Sequence, residues 1–211
     1  MAFWDYGVKE GDGNALAGMA AKLGIDGMCI FSSSVLSGKI FVKGILITEK
    51  NPEMMKRAVK KNRKAYAVIA VSGTDEKMNR IATETEETDI LIPCPETKID
   101  FVMAKTAKKN NVRIAFDFSE LLHSTLVDRG RIFSQMVKNA QCVRKAGAPF
   151  MIISGAESEF GLRSQSEFIS FGKLLGFDEA SVKKATSSAL IDENRKRLSG
   201  KWISPGVEVD K

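Results

Sequence analysis

Histidine is almost missing from this chain: His123 stands alone among 211 residues. Metal-dependent hydrolases commonly draw their ligands from several histidines plus carboxylates, because neutral imidazole suits zinc, manganese and iron. A single histidine excludes a histidine-built metal site and a histidine acid/base pair alike. Cysteine is scarce too. Cys29, Cys94 and Cys142 are widely spaced and odd in number, which argues against a disulfide framework or a zinc motif and leaves three free thiols expected in the interior. No apolar run approaches the roughly 20 residues of a membrane span. The opening MAFWDYGVKEGDG lacks a basic-then-apolar leader, so a cytoplasmic protein without a membrane partner is expected. Neither a G-x-S-x-G elbow nor a P-loop occurs.

What the chain does have is apolar material in a regular rhythm. The 44% apolar composition supports one folded unit over residues 1–200, followed by a tail, KWISPGVEVDK, at 201–211. Apolar runs near 3–8, 26–32, 39–48, 65–72, 88–93, 112–118 and 149–154 read as strands. Helical patterns fall at 15–22, 52–63 with Asn51 as N-cap and Pro52 in the first turn, 75–84, 101–110, 128–145, 165–175 and 178–198. Such a βα series builds either an open doubly wound sheet or a parallel closed barrel. The first needs a G-x-G-x-x-G turn after its first strand; the GDG at 11–13 lacks the third glycine. An α/β fold of the TIM-like (β/α) barrel type is therefore expected, irregular because FSSSVLSGK leaves room only for a loop where one crossover helix belongs.

The net charge of +6 is localised. Residues 1–100 carry 14 basic and 14 acidic side chains, whereas residues 101–145 carry nine basic and three acidic. A concentrated positive field favours a polyanion over a membrane surface. Within it, at about 100° per residue, Ile132, Met136, Ala140 and Val143 share one face of a helix, and Arg131, Lys138 and Lys145 line up almost opposite. Residues about 10 Å apart along a helix can meet successive phosphates. The other reading of such a stripe is a solvated face. No aromatic cluster interleaves with these cations, so any RNA recognition here is of backbone and shape.

Strand 112–118 alternates, placing Val112, Ile114, Phe116 and Phe118 under helices and Arg113, Ala115 and Asp117 toward a barrel lumen. Arg113 is then either an RNA contact or a lumenal cation paired with Asp117. His123, beyond that strand, is either an RNA contact or an ordinary loop histidine. Asp5, Asp26, Asp89 and Asp117 lie on or beside strands, but Asp26 and Asp89 precede theirs and fall at the wrong rim for a strand-end metal site. No metal ligand set and no catalytic residue is assigned.

The block FMIISGAESEFGLRS at 150–164 combines a buried strand, a Ser154-Gly155-Ala156 break and a helix entrance marked by Arg163. With VRIAFDFSELL (112–122), the basic segment DRGRIFSQMVKNAQCVRKAG (128–147) and looser matches FWDYGV and LGIDGMCIFS near the start, it resembles the p30 family of ribonuclease P protein subunits. The resemblance implies a barrel related to the PHP-type metallohydrolases. It also implies a subunit of the holoenzyme that removes the 5′ leader from precursor tRNA, with catalysis and Mg2+ belonging to the RNA and no cofactor on the protein. Implied partners are ribonuclease P RNA, precursor tRNA, a small Pop5-type protein subunit and other ribonuclease P proteins. The RNA contacts expected are Arg113, His123, Arg129, Arg131, Lys138, Lys145 and Arg163. A different class stays open: a free-standing barrel enzyme holding a small phosphorylated substrate at Ser154-Gly155 and the helix entrance that follows.

Overall fold

The seven apolar runs become seven parallel strands that pair in the order in which they leave the sequence. They are β1 (Trp4–Val8), β2 (Gly27–Ile30), β3 (Phe41–Ile47), β4 (Val68–Gly73), β5 (Ile90–Pro93), β6 (Arg113–Asp117) and β7 (Phe150–Ile153). The structure, a computed structural model, describes residues 2–31, 38–198, 202–204 and 207–208. The loop expected in place of a helix between β2 and β3 falls largely on residues 32–37, outside the described residues. β2 and β3 nonetheless pair in parallel, Met28 opposite Phe41.

Helices α1 (Gly13–Leu23), α2 (Pro52–Asn62), α3 (Glu76–Glu84), α4 (Phe101–Lys109), α5 (Ser119–His123), α6 (Leu126–Ala146), α7 (Gln165–Leu174), α8 (Glu179–Ala185) and α9 (Ala189–Leu198) surround the strands. Most of their starts are set by side-chain caps: Asn51 accepts from the amides of Glu53 and Met54, with Pro52 in the first turn, and the Thr125 hydroxyl accepts from the Asp128 amide. Strand alternation divides the apolar residues between two layers. Ile69, Val71, Leu91, Ile114, Phe116 and Ile152 pack outward under helices, while Val68, Ala70, Ile90, Ala115, Met151 and Ile153 fill the lumen. Burial on both faces is why β4, β5 and β7 read as continuous apolar runs rather than alternating in polarity.

The single long helix expected at 178–198 is two. Thr186 and Ser187 turn their hydroxyls back onto the carbonyls of Val182 and Lys184 at 3.0 and 2.7 Å, ending α8. The break lets α9 turn beneath the barrel and plug its lower end with Leu190 and Ile191. Three bonds fasten the plug: Trp4 N–H to the Thr186 carbonyl at 2.7 Å, Asn194 to the Ala67 carbonyl at 2.8 Å, and the Tyr6 hydroxyl to the Ser187 carbonyl at 2.7 Å. Tyr6→Phe leaves a buried carbonyl without its donor and is expected to cost about 1–2 kcal/mol. The urea midpoint reads this directly, and an unchanged midpoint would show that the hydroxyl contributes nothing.

The thiols differ from expectation in one respect: Cys29 is buried and Cys142 partly so, but Cys94 is exposed on the loop after β5. In the tail, β8 (Trp202–Ser204) and β9 (Val207–Glu208) form a two-stranded antiparallel ladder. Its remaining residues lie outside the described ones.

Candidate functional site

Sheet order leaves β1 and β7 as the two edge strands, and the curl of the sheet brings them into contact, yet among the described residues no backbone ladder joins them. Side chains and loops close this seam instead. Asp5, fully buried on β1, accepts the Gly7 amide at 3.1 Å and, across the seam, the Ser154 amide at 3.2 Å. Above it the Lys9 and Glu10 amides reach the Ala156 carbonyl at 2.7 and 3.3 Å, and Ala156 N–H bonds the Ser154 hydroxyl at 3.1 Å. Burial pushes the Asp5 carboxyl above its ordinary range, while hydrogen bonds from Ser154 and Gly7 pull back.

Asp117 ends β6 beside this clasp. Its Oδ1 accepts the Ser119 amide and hydroxyl at 2.9 and 2.7 Å. Its Oδ2 faces the Lys9 ammonium at 3.2 Å, and the same ammonium lies 3.4 Å from the Ser119 hydroxyl and 3.9 Å from Glu157. A lysine therefore pairs with the buried carboxylate at this side of the mouth. Among the described residues no three His, Cys, Asp or Glu side chains gather as a metal site. Asp26 and Asp89 sit at the opposite rim, Asp26 accepting the Phe3 amide and Asp89 pairing with Arg63 at 2.7 Å.

The Ser154-Gly155-Ala156 break does not present a phosphate seat. The Ser154 and Ala156 amides are already bonded within the clasp, and Ser154 is 1% exposed. Gly155, at φ +66°, is held where a Cβ would run into Asp117 Oδ1 and Ser119 Oγ. The start of α7 is closed by a capping box in which Glu167 accepts the Ser164 amide at 2.7 Å, putting a carboxylate where an anion would have to sit. These contacts count against the small-phosphate enzyme.

The expected RNA contacts are scattered over three regions. Along α6, Ile132, Met136, Ala140 and Val143 are buried and Arg131, Lys138 and Lys145 are exposed, as the helical geometry requires. Their charges are not equivalent. Arg131 is shared between Glu96 at 2.8 Å and Asp128 at 2.9 Å, and Lys145 lies 5.6 Å over the Phe101 ring. The Lys138 side chain has no ion pair or hydrogen bond among the described residues. Near the mouth, His123 ends α5 in the open. Arg129 donates to the Ser124 carbonyl at 3.0 Å and borders an apolar groove of about 630 Å³ floored by Phe118, Leu121, Phe133 and Phe171. Arg163 donates to the Phe160 and Leu162 carbonyls at 2.8 and 2.7 Å and lies 3.7 Å from Glu167, which leaves it largely structural.

Arg113 is at the far end of the barrel. It pairs with Glu193 of α9 at 3.7 Å, and burial lowers its pKa while Glu193 opposes the shift. The expected Arg113–Asp117 pair does not form, because the two residues terminate opposite ends of β6. Lys9 gave no sequence signal: its contact with Ser119 spans 110 residues, and nothing local to MAFWDYGVK marks it.

Fold and surface together define an irregular TIM-like (β/α) barrel whose mouth holds an ion-paired lysine and whose cations ride on the outer helices. Within that class its relatives are specific. The chain belongs to the RNase P subunit p30 family, which it matches over residues 19–198. Ribonuclease P protein component 3 of Haloarcula marismortui is 30% identical over 171 residues, covering 79% of this chain and 73% of that protein. The protein of the same name from Methanococcoides burtonii is 31% identical over 217 residues, covering 96% and 90%. In fold, the chain superposes on a chain of archaeal ribonuclease P with mature tRNA, solved by cryo-EM, with a TM-score of 0.83 at 20% identity, covering 99% and 98%.

Proposed function

We propose that this chain is a protein subunit of ribonuclease P that assists the catalytic RNA in removing the 5′ leader from precursor tRNA. Membership of the p30 family along residues 19–198 carries the reading. Its partners on this reading are ribonuclease P RNA, precursor tRNA, a small Pop5-type subunit and other ribonuclease P proteins, in the cytoplasm. Catalysis and Mg2+ belong to the RNA, and the protein contributes phosphate neutralisation and order rather than a reacting group. The single histidine and the lysine seated in the mouth support that division. No described helix is long and apolar enough to cross a membrane.

Of the expected contacts, Lys138 and Lys145 have the geometry that best suits an RNA backbone: both are exposed, seven residues apart on α6, and outside any ion pair among the described residues. Arg131 lies in line with them and becomes available when RNA displaces Glu96 and Asp128. His123 and Arg129 mark a second region near the mouth, with Arg163 behind it. Arg113 contributes through the lower end of the barrel.

The test is cleavage of precursor tRNA by ribonuclease P RNA and the small protein partner at moderate magnesium, with and without this chain. Stimulation only with all components present supports the reading; a competent RNA indifferent to the folded chain removes it. In the same assay Lys138→Ala with Lys145→Ala is expected to weaken RNA association and lower its log–log salt slope by about 1–2. A slope equal to wild type across salt would take these two residues out of the interface.

A further inference from the structure

In this barrel the helices run antiparallel to the strands they follow, so their C-terminal ends collect around the lower end, away from the mouth. Three ends that lie together there carry basic residues in their last turns: Lys108 and Lys109 on α4, Arg144 and Lys145 on α6, and Lys183 and Lys184 on α8, the helix that follows α7. Cations in the last turn complement the helix dipole, which explains their presence one helix at a time. It does not explain what three ends build together. Between them opens a cleft of about 810 Å³ whose walls carry Lys108, Arg113, Arg144 and Lys184 against a single acidic residue, Asp178.

The charges in this cleft are largely uncompensated. Asp178 is committed to capping α8, accepting the Ser181 amide and hydroxyl at 2.8 and 2.7 Å. Arg113 is paired with Glu193 at the back wall. Lys108 makes one long contact, 3.4 Å to the Ala146 carbonyl. The Arg144 and Lys184 side chains make no ion pair or hydrogen bond among the described residues. The Arg144 guanidinium lies instead against Gly176, at φ +87°, where a Cβ would stand 2.9 Å from its central carbon. Glycine leaves that seat open.

We propose that this cleft binds the phosphodiester backbone of RNA through Lys108, Arg144 and Lys184, with Arg113 behind them. The proposal rests on the subunit reading and adds a site distinct from the exposed face of α6. Unpaired cations on concave walls raise the local potential and attract phosphates. An extended polyanion fits better than a small phosphate ester because the positive surface does not stop at the cleft. Lys145 adjoins Arg144, and Lys138 stands two turns further up α6, so one strand of RNA meets the cleft and then the helix face. The cleft floor is the stacked pair Phe150 and Phe177, 3.7 Å apart, closed against each other rather than open to a base. Recognition here is of backbone, not sequence.

The test uses the full chain with Lys108→Ala, Arg144→Ala and Lys184→Ala combined, and a companion with Lys108→Arg, Arg144→Lys and Lys184→Arg. Binding to ribonuclease P RNA and, separately, to precursor tRNA is measured by anisotropy between about 0.05 and about 0.2 M salt. All three positions are exposed, so both variants should melt like wild type. The alanine variant is expected to bind at least about tenfold more weakly and to lose about 2–3 from its salt slope, with the charge-conserving variant close to wild type. The RNA that shows the loss is the one the cleft holds. Unchanged slopes with both RNAs, while wild type binds them steeply, overturn the cleft and leave the subunit reading standing. A wild-type chain that binds neither RNA and does not stimulate cleavage overturns both.

Discussion

Replacing Asp5 by alanine is expected to lower stability by about 3–5 kcal/mol, a large fraction of what holds a domain folded. The residue touches no solvent, and its Oδ1 is the acceptor for amides on both sides of the β1/β7 seam. Alanine strands both amides at the place where the barrel has no ladder. Asp5→Asn separates geometry from charge, because the amide oxygen can accept the same two bonds. Burial raises the folded-state pKa of Asp5 above its unfolded value of about 3.9. The stability this group contributes is therefore complete below about pH 4 and lost as pH rises through the folded pKa. Asparagine does not titrate, so Asp5→Asn should gain on wild type between about pH 4 and neutrality. Urea midpoints at both ends of that range decide the matter, and a constant difference between the proteins would mean that Asp5 ionises without cost.

Gly155→Ala is the second large effect, expected at about 2–5 kcal/mol. The left-handed backbone accounts for about 1–2 of this, and forcing a methyl against Asp117 and Ser119 for about 1–3. For a chain of this size the melting temperature should fall by on the order of 10 °C. Stimulation of precursor-tRNA cleavage should fall with it, in proportion to the folded fraction. A variant that melts like wild type yet loses activity would return this loop to ligand binding.

Both predictions concern the stretch that most clearly marks the family, and its chemistry in the fold is not what its sequence suggests. ISGAESEFGLRS reads as a break and a basic entrance to a helix. In place, its small residues make room for backbone to cross the seam, and Arg163 supports the turn that feeds α7. Elements set by local pattern were legible. The strands show as apolar runs because most of their residues are buried, and the buried face of α6 shows in the spacing of Ile132, Met136, Ala140 and Val143. What depends on distant partners was not. Arg131 looked like a free cation until Glu96 met it, and Asn139, inside a basic helix, holds the Ile99 amide and the Thr97 carbonyl at 2.9 Å each. The split of α8 from α9 was hidden because Thr186 and Ser187 sit in a run whose periodicity continues through them. The cleft at the lower end was missed for a related reason. Its cations belong to three helices and read, one by one, as ordinary last-turn residues.

The plug at the lower end also bears on when this molecule can become itself. Chains emerge from the ribosome at about 5–20 residues per second and begin folding from the leading end. Here β1 comes out first, but the Ser154 amide that completes its clasp lies 149 residues later, and Leu190 and Ile191 follow later still. Until then Tyr6 has no acceptor and the lumen has no floor. The closed barrel therefore cannot be completed until Leu190 and Ile191 have emerged, so both the seam and the floor depend on the part of the chain made after residue 150.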